Sequence, residues 1–142
     1  MDIALAETPQ DILRCYPVMK ELRPTYSEEA YAAQVARQMK TDRYQLVYGE
    51  DDGAVVGVGG FRTVELLAWG RAIYVDDLVT ASRGRSKGYG GQLLDWLIER
   101  ARSLGCDHLH LDSGVQRFAA HRFYLTKRMD ITAHHFTIQL TD

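Results

Sequence analysis

Apolar positions along the chain change their period several times, and each change marks an element. Asp2 to Glu7 alternates as a short strand does. Thr8-Pro9-Gln10-Asp11 carries three helix-start signals: a hydroxyl cap, a proline at the first helical position and an acid in the first turn. Ile12, Cys15, Tyr16, Met19 and Leu22 follow at helical spacing until Pro24. Ser27-Glu28-Glu29 opens a second helix with Tyr31, Val35 and Met39 on one face. Tyr44 to Glu50 reads as a strand, and Asp51-Asp52-Gly53 as a hairpin turn. Ala54 to Leu66 returns, its Gly57, Gly59 and Gly60 pointing to a bulge or a close backbone approach. After a turn at Trp69-Gly70-Arg71, Ala72 to Thr80 is the third strand of a meander.

Beyond a glycine-rich loop comes the most strongly patterned helix, Leu93 to Leu104. Leu94, Leu97, Ile98, Ala101 and Leu104 share a face, and Gly105 supplies the stop. Cys106 to Asp112 is a strand parallel to the preceding one, because a helical crossover joins them. Arg117 to Thr126 is a short helix, and Ile131 to Leu140 is expected to close the fold as a strand. The order β-α-α-β-β-β-α-β-α-β describes an α/β domain around a mixed sheet.

Composition narrows the class. The chain has 142 residues, 46% of them hydrophobic, which suits a single domain over 1–142. A domain of this size buries roughly two-thirds of the surface its unfolded chain exposes. The net charge of −2 argues against nucleic acid as a partner. No run approaches the ~20 apolar residues that span a membrane, and the N-terminus has no signal-peptide pattern, so a cytoplasmic protein is expected. Cys15 and Cys106 are isolated and lack metal spacing, so they read as thiols outside any disulfide.

Chemistry concentrates in the loop after the third meander strand. Arg83, Arg85 and Lys87 stand among Gly84, Gly88, Gly90 and Gly91, just before the long helix. First-turn N–H groups have no intrahelical partner, and the helix dipole adds about half a positive charge there. Glycine lets a ligand approach the backbone closely. The Walker A spacing is absent, which disfavours nucleoside triphosphate hydrolysis. Gly-x-Gly-x-x-Gly is absent too, which disfavours a dinucleotide site. A pyrophosphate on backbone N–H groups fits best.

With these elements placed, the chain resembles the GNAT superfamily of N-acetyltransferases. Arg85-Ser86-Lys87-Gly88-Tyr89-Gly90 matches the family's Gln/Arg-x-x-Gly-x-Gly/Ala loop. Leu78-Val79-Thr80 stands for the strand end before it, and Ala120-His121-Arg122-Phe123-Tyr124 for the Ala-x-x-Phe-Tyr helix. Within the superfamily, Ala120 to Leu125 and Asp77-Leu78-Val79 are similar to stretches of aminoalkylphosphonate N-acetyltransferases. Three departures from the pattern stand out: Ser82 where proline is common, Arg117 where asparagine is frequent, and Arg128-Met129 in place of Gly-Phe.

The resemblance implies a GNAT-like mixed, mostly antiparallel sheet with a splayed parallel strand pair. It implies acetyl-CoA as co-substrate, its pyrophosphate on the N–H groups of Arg85, Ser86, Lys87, Gly88, Tyr89 and Gly90. The pantetheine arm would pair with Leu78, Val79 and Thr80, where the strands ending at Thr80 and Asp112 part; Arg117 and Tyr124 complete the expected donor contacts. An amine acceptor arrives protonated, with only about one molecule in a thousand neutral at pH 7 for a lysine-like pKa. Asp76 and Asp77 are the candidate bases. Consecutive strand residues point to opposite faces, so one of them should reach the acceptor side; the resemblance favours Asp77, acting through water, over Asp112. Tyr124 can return a proton to the departing thiolate.

Acceptor recognition is expected from Arg23, Tyr26 and the turn near Trp69, with Arg23, Arg117 or Arg122 free to hold an anionic substituent. His108, His110, His134 and His135 read as surface or satisfied histidines rather than metal ligands, so no metal is expected. His121 could touch coenzyme A or cap its helix. The acceptor is expected to be a small-molecule amine, with a protein or peptide amine as the other acceptor. A non-catalytic acyl-CoA sensor and a phosphate-loop nucleotide binder are the competing functions. The final strand is free to pair across a homodimer.

Overall fold

Local signals settle the first two helices. In this computed structural model, which describes Met1–Asp142, strand β1 (Asp2–Leu5) leads into helix α1 (Pro9–Leu22). Thr8 caps α1 reciprocally with Asp11: each side chain takes the other residue's backbone N–H. Ser27 caps helix α2 (Glu28–Thr41) through the N–H of Ala30. Strands β2 (Tyr44–Asp51), β3 (Ala54–Leu66) and β4 (Gly70–Thr80) form the expected meander, with β4 starting two residues earlier than its apolar run. Helix α3 (Tyr89–Ser103) and strand β5 (His108–Leu111) follow. The sheet order is β1-β2-β3-β4-β5, antiparallel through β4, with β5 parallel to β4.

Alternation along β3 sorts the two faces of the sheet. Val58 joins the apolar cluster of Cys15, Val18, Met19, Tyr31 and Val35 under α1 and α2. Its neighbours Gly57 and Gly59 look the other way: a Cβ at Gly57 would lie 2.6 Å from Leu93, and one at Gly59 would lie 3.6 Å from Leu97. Leu93, Leu94 and Leu97 of α3 are fully buried, as is Phe61, which meets Trp96 edge-on at 6.1 Å. The glycines of β3 therefore let α3 approach the sheet backbone closely.

The long helix begins at Tyr89, four residues before the expected Leu93. Gly90 and Gly91 are thus its first turn rather than loop, because apolar periodicity marks where a helix packs and not where its hydrogen bonding starts. Ahead of it, Ser82–Gly84 makes one 3₁₀ turn. Both cysteines are free thiols, Cys15 fully buried. Burial pushes the Cys15 thiol up to about 12. No helix is long and apolar enough to cross a membrane.

The chain divides into two compact units, Met1–His110 and Leu111–Asp142. The second contains helix α4 (Phe118–Thr126). The strand expected at Ile131–Leu140 is not formed: no residue after Thr126 lies in a helix or strand. Phe136, Ile138 and Leu140 are 91%, 82% and 89% exposed. Alternation supplies an apolar face but no hydrogen-bonding neighbour, and a strand exists only by its ladder. The segment expected to pair across a dimer is therefore not a strand here.

Candidate active site

Two neighbouring stretches of β4 and its exit hold most of the expected site residues. The first is a bulge. Gly60 pairs with Asp77 and Phe61 with Val75, so Asp76 is an extra residue on β4. The bulge cancels one step of alternation, and both carboxylates emerge on the face that α1 and α2 cover. This corrects the expectation that one of the two points away. Arg62, opposite Tyr74, grips Asp76 with two bonds: Nε to Oδ2 at 2.9 Å and Nη2 to Oδ1 at 2.9 Å. Arg23, the residue that ends α1, donates from Nε to Asp77 Oδ1 at 3.0 Å and from Nη2 to the Asp76 carbonyl at 3.1 Å. Tyr44 Oη donates to Asp77 Oδ2 at 2.8 Å.

Two adjacent carboxylates repel one another, and two guanidiniums offset that repulsion here. Both pairs are partly wet: the Arg23 side chain is 48% exposed and that of Asp77 15%. Hydrogen bonding to Asp76 holds the Arg62 guanidinium above its usual value, against a smaller opposing effect of burial. Burial, then the charge of Asp77, pushes the Tyr44 phenol well above its ordinary value, so it remains a donor. Tyr26, expected beside them, is turned toward the helices: its hydroxyl donates to Gln34 at 3.0 Å and its carbonyl accepts from Tyr16 at 2.7 Å.

The second stretch runs from Leu78 to Gly90. Leu78, Val79 and Thr80 pair with Gly59, Val58 and Gly57 of β3 on one side. On the other side β5 is only four residues against the eleven of β4. It begins beside the start of β4, with the Asp107 N–H donating to the Arg71 carbonyl at 2.7 Å and His108 Nδ1 3.0 Å from the Trp69 carbonyl. At ~3.3 Å per residue β5 runs out before Thr80. Gly88 is the N-cap of α3 at φ 79°, and it has no side chain with which to cap the first-turn N–H groups of Tyr89, Gly90 and Gly91. Ser86 is also left-handed, at φ 73°, while the Arg85 and Lys87 N–H groups donate within the loop, to the Ser82 and Gly84 carbonyls at 3.3 Å each. Arg85, Ser86, Lys87 and Gly88 are exposed.

Two residues of this loop are structural instead. Arg83 Nη2 donates to the Val55 carbonyl at 3.1 Å. Tyr89 is buried with its hydroxyl on Asp51, which leaves only its backbone for a ligand. Gly84 makes room for it, since a Cβ there would lie 2.6 Å from the Tyr89 ring.

Several histidines have protein partners. His110 stacks on Trp69 with centroids 3.6 Å apart, and Trp69 in turn stacks on Tyr74 at 6.2 Å. No three His, Cys, Asp or Glu side chains converge as a metal site. Within the second unit, Tyr124 and Arg117 belong to α4 and its N-cap. Burial raises the Tyr124 phenol, with Arg117 pulling it partly back. His121 Nε2 lies 2.7 Å from the Gly114 carbonyl, and His135 pairs with Asp112 at 3.3 Å.

Sequence comparison agrees with this architecture. The model of the Acetyltransferase (GNAT) family matches residues 6–129. The chain belongs to the GNAT acetyltransferase family. An uncharacterized N-acetyltransferase of Bacillus subtilis, YhdJ, is 36% identical over 112 residues, 79% of each chain. The aminoalkylphosphonate N-acetyltransferase of Salmonella typhimurium is 35% identical over 63 residues, 44% of this chain and 41% of that protein. Among solved structures, a putative acetyltransferase from Agrobacterium tumefaciens has a TM-score of 0.84 at 22% identity, covering 98% of this chain and 99% of that one. At that identity the likeness shows the fold.

Tyr44, Gly60 and Arg62 escaped the sequence reading as site residues. The β3 glycines were the one signal available, and they suggested a bulge without saying whose side chains would meet there.

Proposed function

We propose that this GNAT protein moves an acetyl group from acetyl-CoA to the primary amine of a small molecule, by direct attack in a ternary complex. The observation that carries the reading is the order along one strand: paired aspartates at a bulge, then Leu78–Thr80, then a cationic loop at an uncapped helix start. The loop suits a pyrophosphate. A Cβ at Gly88 would meet nothing within 4 Å, Arg85 and Lys87 are exposed, and the first-turn N–H groups have no side-chain cap.

In this reading the loop Arg85–Gly90 holds the pyrophosphate through the first-turn N–H groups of α3, since those of Arg85 and Lys87 already donate to loop carbonyls, and the backbone of Leu78–Thr80 aligns the thioester. A fixed N–H donor there stabilises the carbonyl oxygen as it gains charge, an effect of roughly 3 kcal/mol per donor in other acyl transfers. Asp77, directly or through a water, takes the ammonium proton. The freed nitrogen lone pair forms the C–N bond, the C–S bond breaks, the sulfur leaves as a thiolate, and the nitrogen gives its second proton to water to become the neutral amide. Tyr124 is assigned the proton that the thiolate takes; its raised phenol keeps that proton at neutral pH. Asp76, gripped at both oxygens by Arg62, is the less available of the two carboxylates. Arg117 is assigned to the donor and Tyr26, with Arg23, to the wall of the acceptor site.

The Salmonella relative is named for an aminoalkylphosphonate, which carries one ammonium and one anionic group. Asp77 and Arg23 would match that pairing, with Arg23 leaving Asp77 for the phosphonate as the ammonium arrives. One observation favours a second reading, a non-catalytic acyl-CoA-binding domain: both aspartates already have arginine partners. A screen of thiol release from acetyl-CoA over simple amines, amino acids and aminoalkylphosphonates separates the two. Release with a small amine is expected, and an acetyl-CoA thermal shift without release from any acceptor would favour the binding domain. In the active case, Tyr124→Phe should cut kcat about tenfold or more with acetyl-CoA affinity unchanged.

A further inference from the structure

Asp77 has two oxygens in different circumstances. Oδ1 faces Arg23, whose side chain is 48% exposed, so this bond is made at the surface and can exchange with another cation. Oδ2 faces the Tyr44 hydroxyl at 2.8 Å, and Tyr44 is 4% exposed. Tyr44 cannot easily retreat. It belongs to the cluster beneath α1 and α2, and its strand position opposite Arg62 is set by the β2–β3 register. Gly60 makes the meeting possible: a Cβ there would lie 1.8 Å from Tyr44 Oη and 2.7 Å from Asp77 Oδ2. The residue is therefore glycine for a side-chain reason, although its backbone is ordinary strand.

We propose that Tyr44, seated over Gly60, is a positioning residue for acetyl transfer: it fixes Asp77 by Oδ2 so that Oδ1 is presented to the acceptor's ammonium in exchange for Arg23. The inference rests on the acetyltransferase reading above and adds to it an anchor on β2 and a required glycine on β3. Without the phenol, Asp77 keeps its charge but can rotate about its χ angles, and the acceptor meets a disordered carboxylate. Acceptor binding and turnover then suffer while the donor site, on Leu78–Gly90, does not.

The test compares steady-state kinetics of wild type, Tyr44→Phe, Asp77→Asn and the double variant, using the best amine from the thiol-release screen. Tyr44→Phe should raise the amine KM or lower kcat by about tenfold, the effect of one hydrogen bond to a charged group. The acetyl-CoA KM and the acetyl-CoA thermal shift should stay at wild-type values. In the Asp77→Asn background, Tyr44→Phe should cost less than about twofold further, because the phenol acts through a group already removed. Gly60→Ala should reproduce the Tyr44→Phe defect or exceed it. As a second readout, the Tyr44 hydroxyl proton, assigned by its loss in Tyr44→Phe, should exchange slowly with water in wild type and quickly in Asp77→Asn.

Unchanged amine kinetics in Tyr44→Phe, or an equal loss in both backgrounds, would overturn the positioning role while leaving the acetyltransferase reading intact. Absence of thiol release from wild type with every amine would overturn that reading, and this inference with it.

Discussion

The loop before α3 and the bulge in β4 lie within fifteen residues of one another and are built in opposite ways. The loop is made of backbone: left-handed residues at 86 and 88, an N-cap without a side chain, and cations at 85 and 87 that point to water. The bulge is made of side chains drawn from four places in the chain: Arg23 after α1, Tyr44 on β2, Arg62 on β3 and the two aspartates on β4. The contrast extends to α1 and α2, where the Thr8 and Ser27 hydroxyls accept from first-turn N–H groups. A site made of main chain takes anions of many shapes and is governed by charge. A site made of mutually bonded side chains is governed by geometry, and one lost partner disturbs the rest.

That difference can be broken experimentally from either side. Asp77→Asn should have the largest effect, lowering kcat/KM for the amine by about a hundredfold or more, as loss of a base does. Its acetyl-CoA thermal shift should persist; a lost shift would show that the two regions are not separable. The mirror experiment, Arg85→Ala with Lys87→Ala, should raise the acetyl-CoA KM about tenfold, leave the amine KM alone, and flatten the salt dependence of donor binding. An equal rise in both constants would contradict the division.

Alkaline pH probes the side-chain region through its buried phenols. Tyr31 and Tyr44 are both raised above the ordinary 10.0, chiefly by burial. Their neutral forms are favoured by the fold, so this stability is complete below about pH 10, where the unfolded phenols ionise, and is lost as pH rises toward the higher folded values. Unfolding free energies from urea titration should be level between about pH 7 and 9 and fall above about pH 10, by up to about 1.4 kcal/mol per pH unit per phenol. Tyr44→Phe should make that fall shallower, and an unchanged slope would remove Tyr44 from the account. The smallest effect is expected in the loop. Gly88→Ala places a Cβ in open space but at φ 79°, so about 1 kcal/mol of strain should appear as a lower urea midpoint.

Much of this molecule was legible in the residues, because the signals were local. Thr8-Pro9 and Ser27 announced two helices, Asp52-Gly53 a hairpin, and the Gly88 region a glycine-rich turn into a third helix; each depends on dihedral preferences or hydrogen bonds within a few residues. The final strand failed for the converse reason, since Ile131–Leu140 has the right period but no ladder to join. The bulge lay beyond reach as well. Alternation alone put Asp76 and Asp77 on opposite faces, and only the β3–β4 register places an extra residue between Val75 and Asp77.

The sequence by itself determined the order of elements as far as α4, the cationic glycine-rich loop and the family. Tertiary structure decided which arginine meets which aspartate, and that Tyr44 meets Asp77 across Gly60. Those bonds join residues 54, 33 and 14 positions apart. No local preference encodes such separations; the strand register and the seat of α1 on the sheet do.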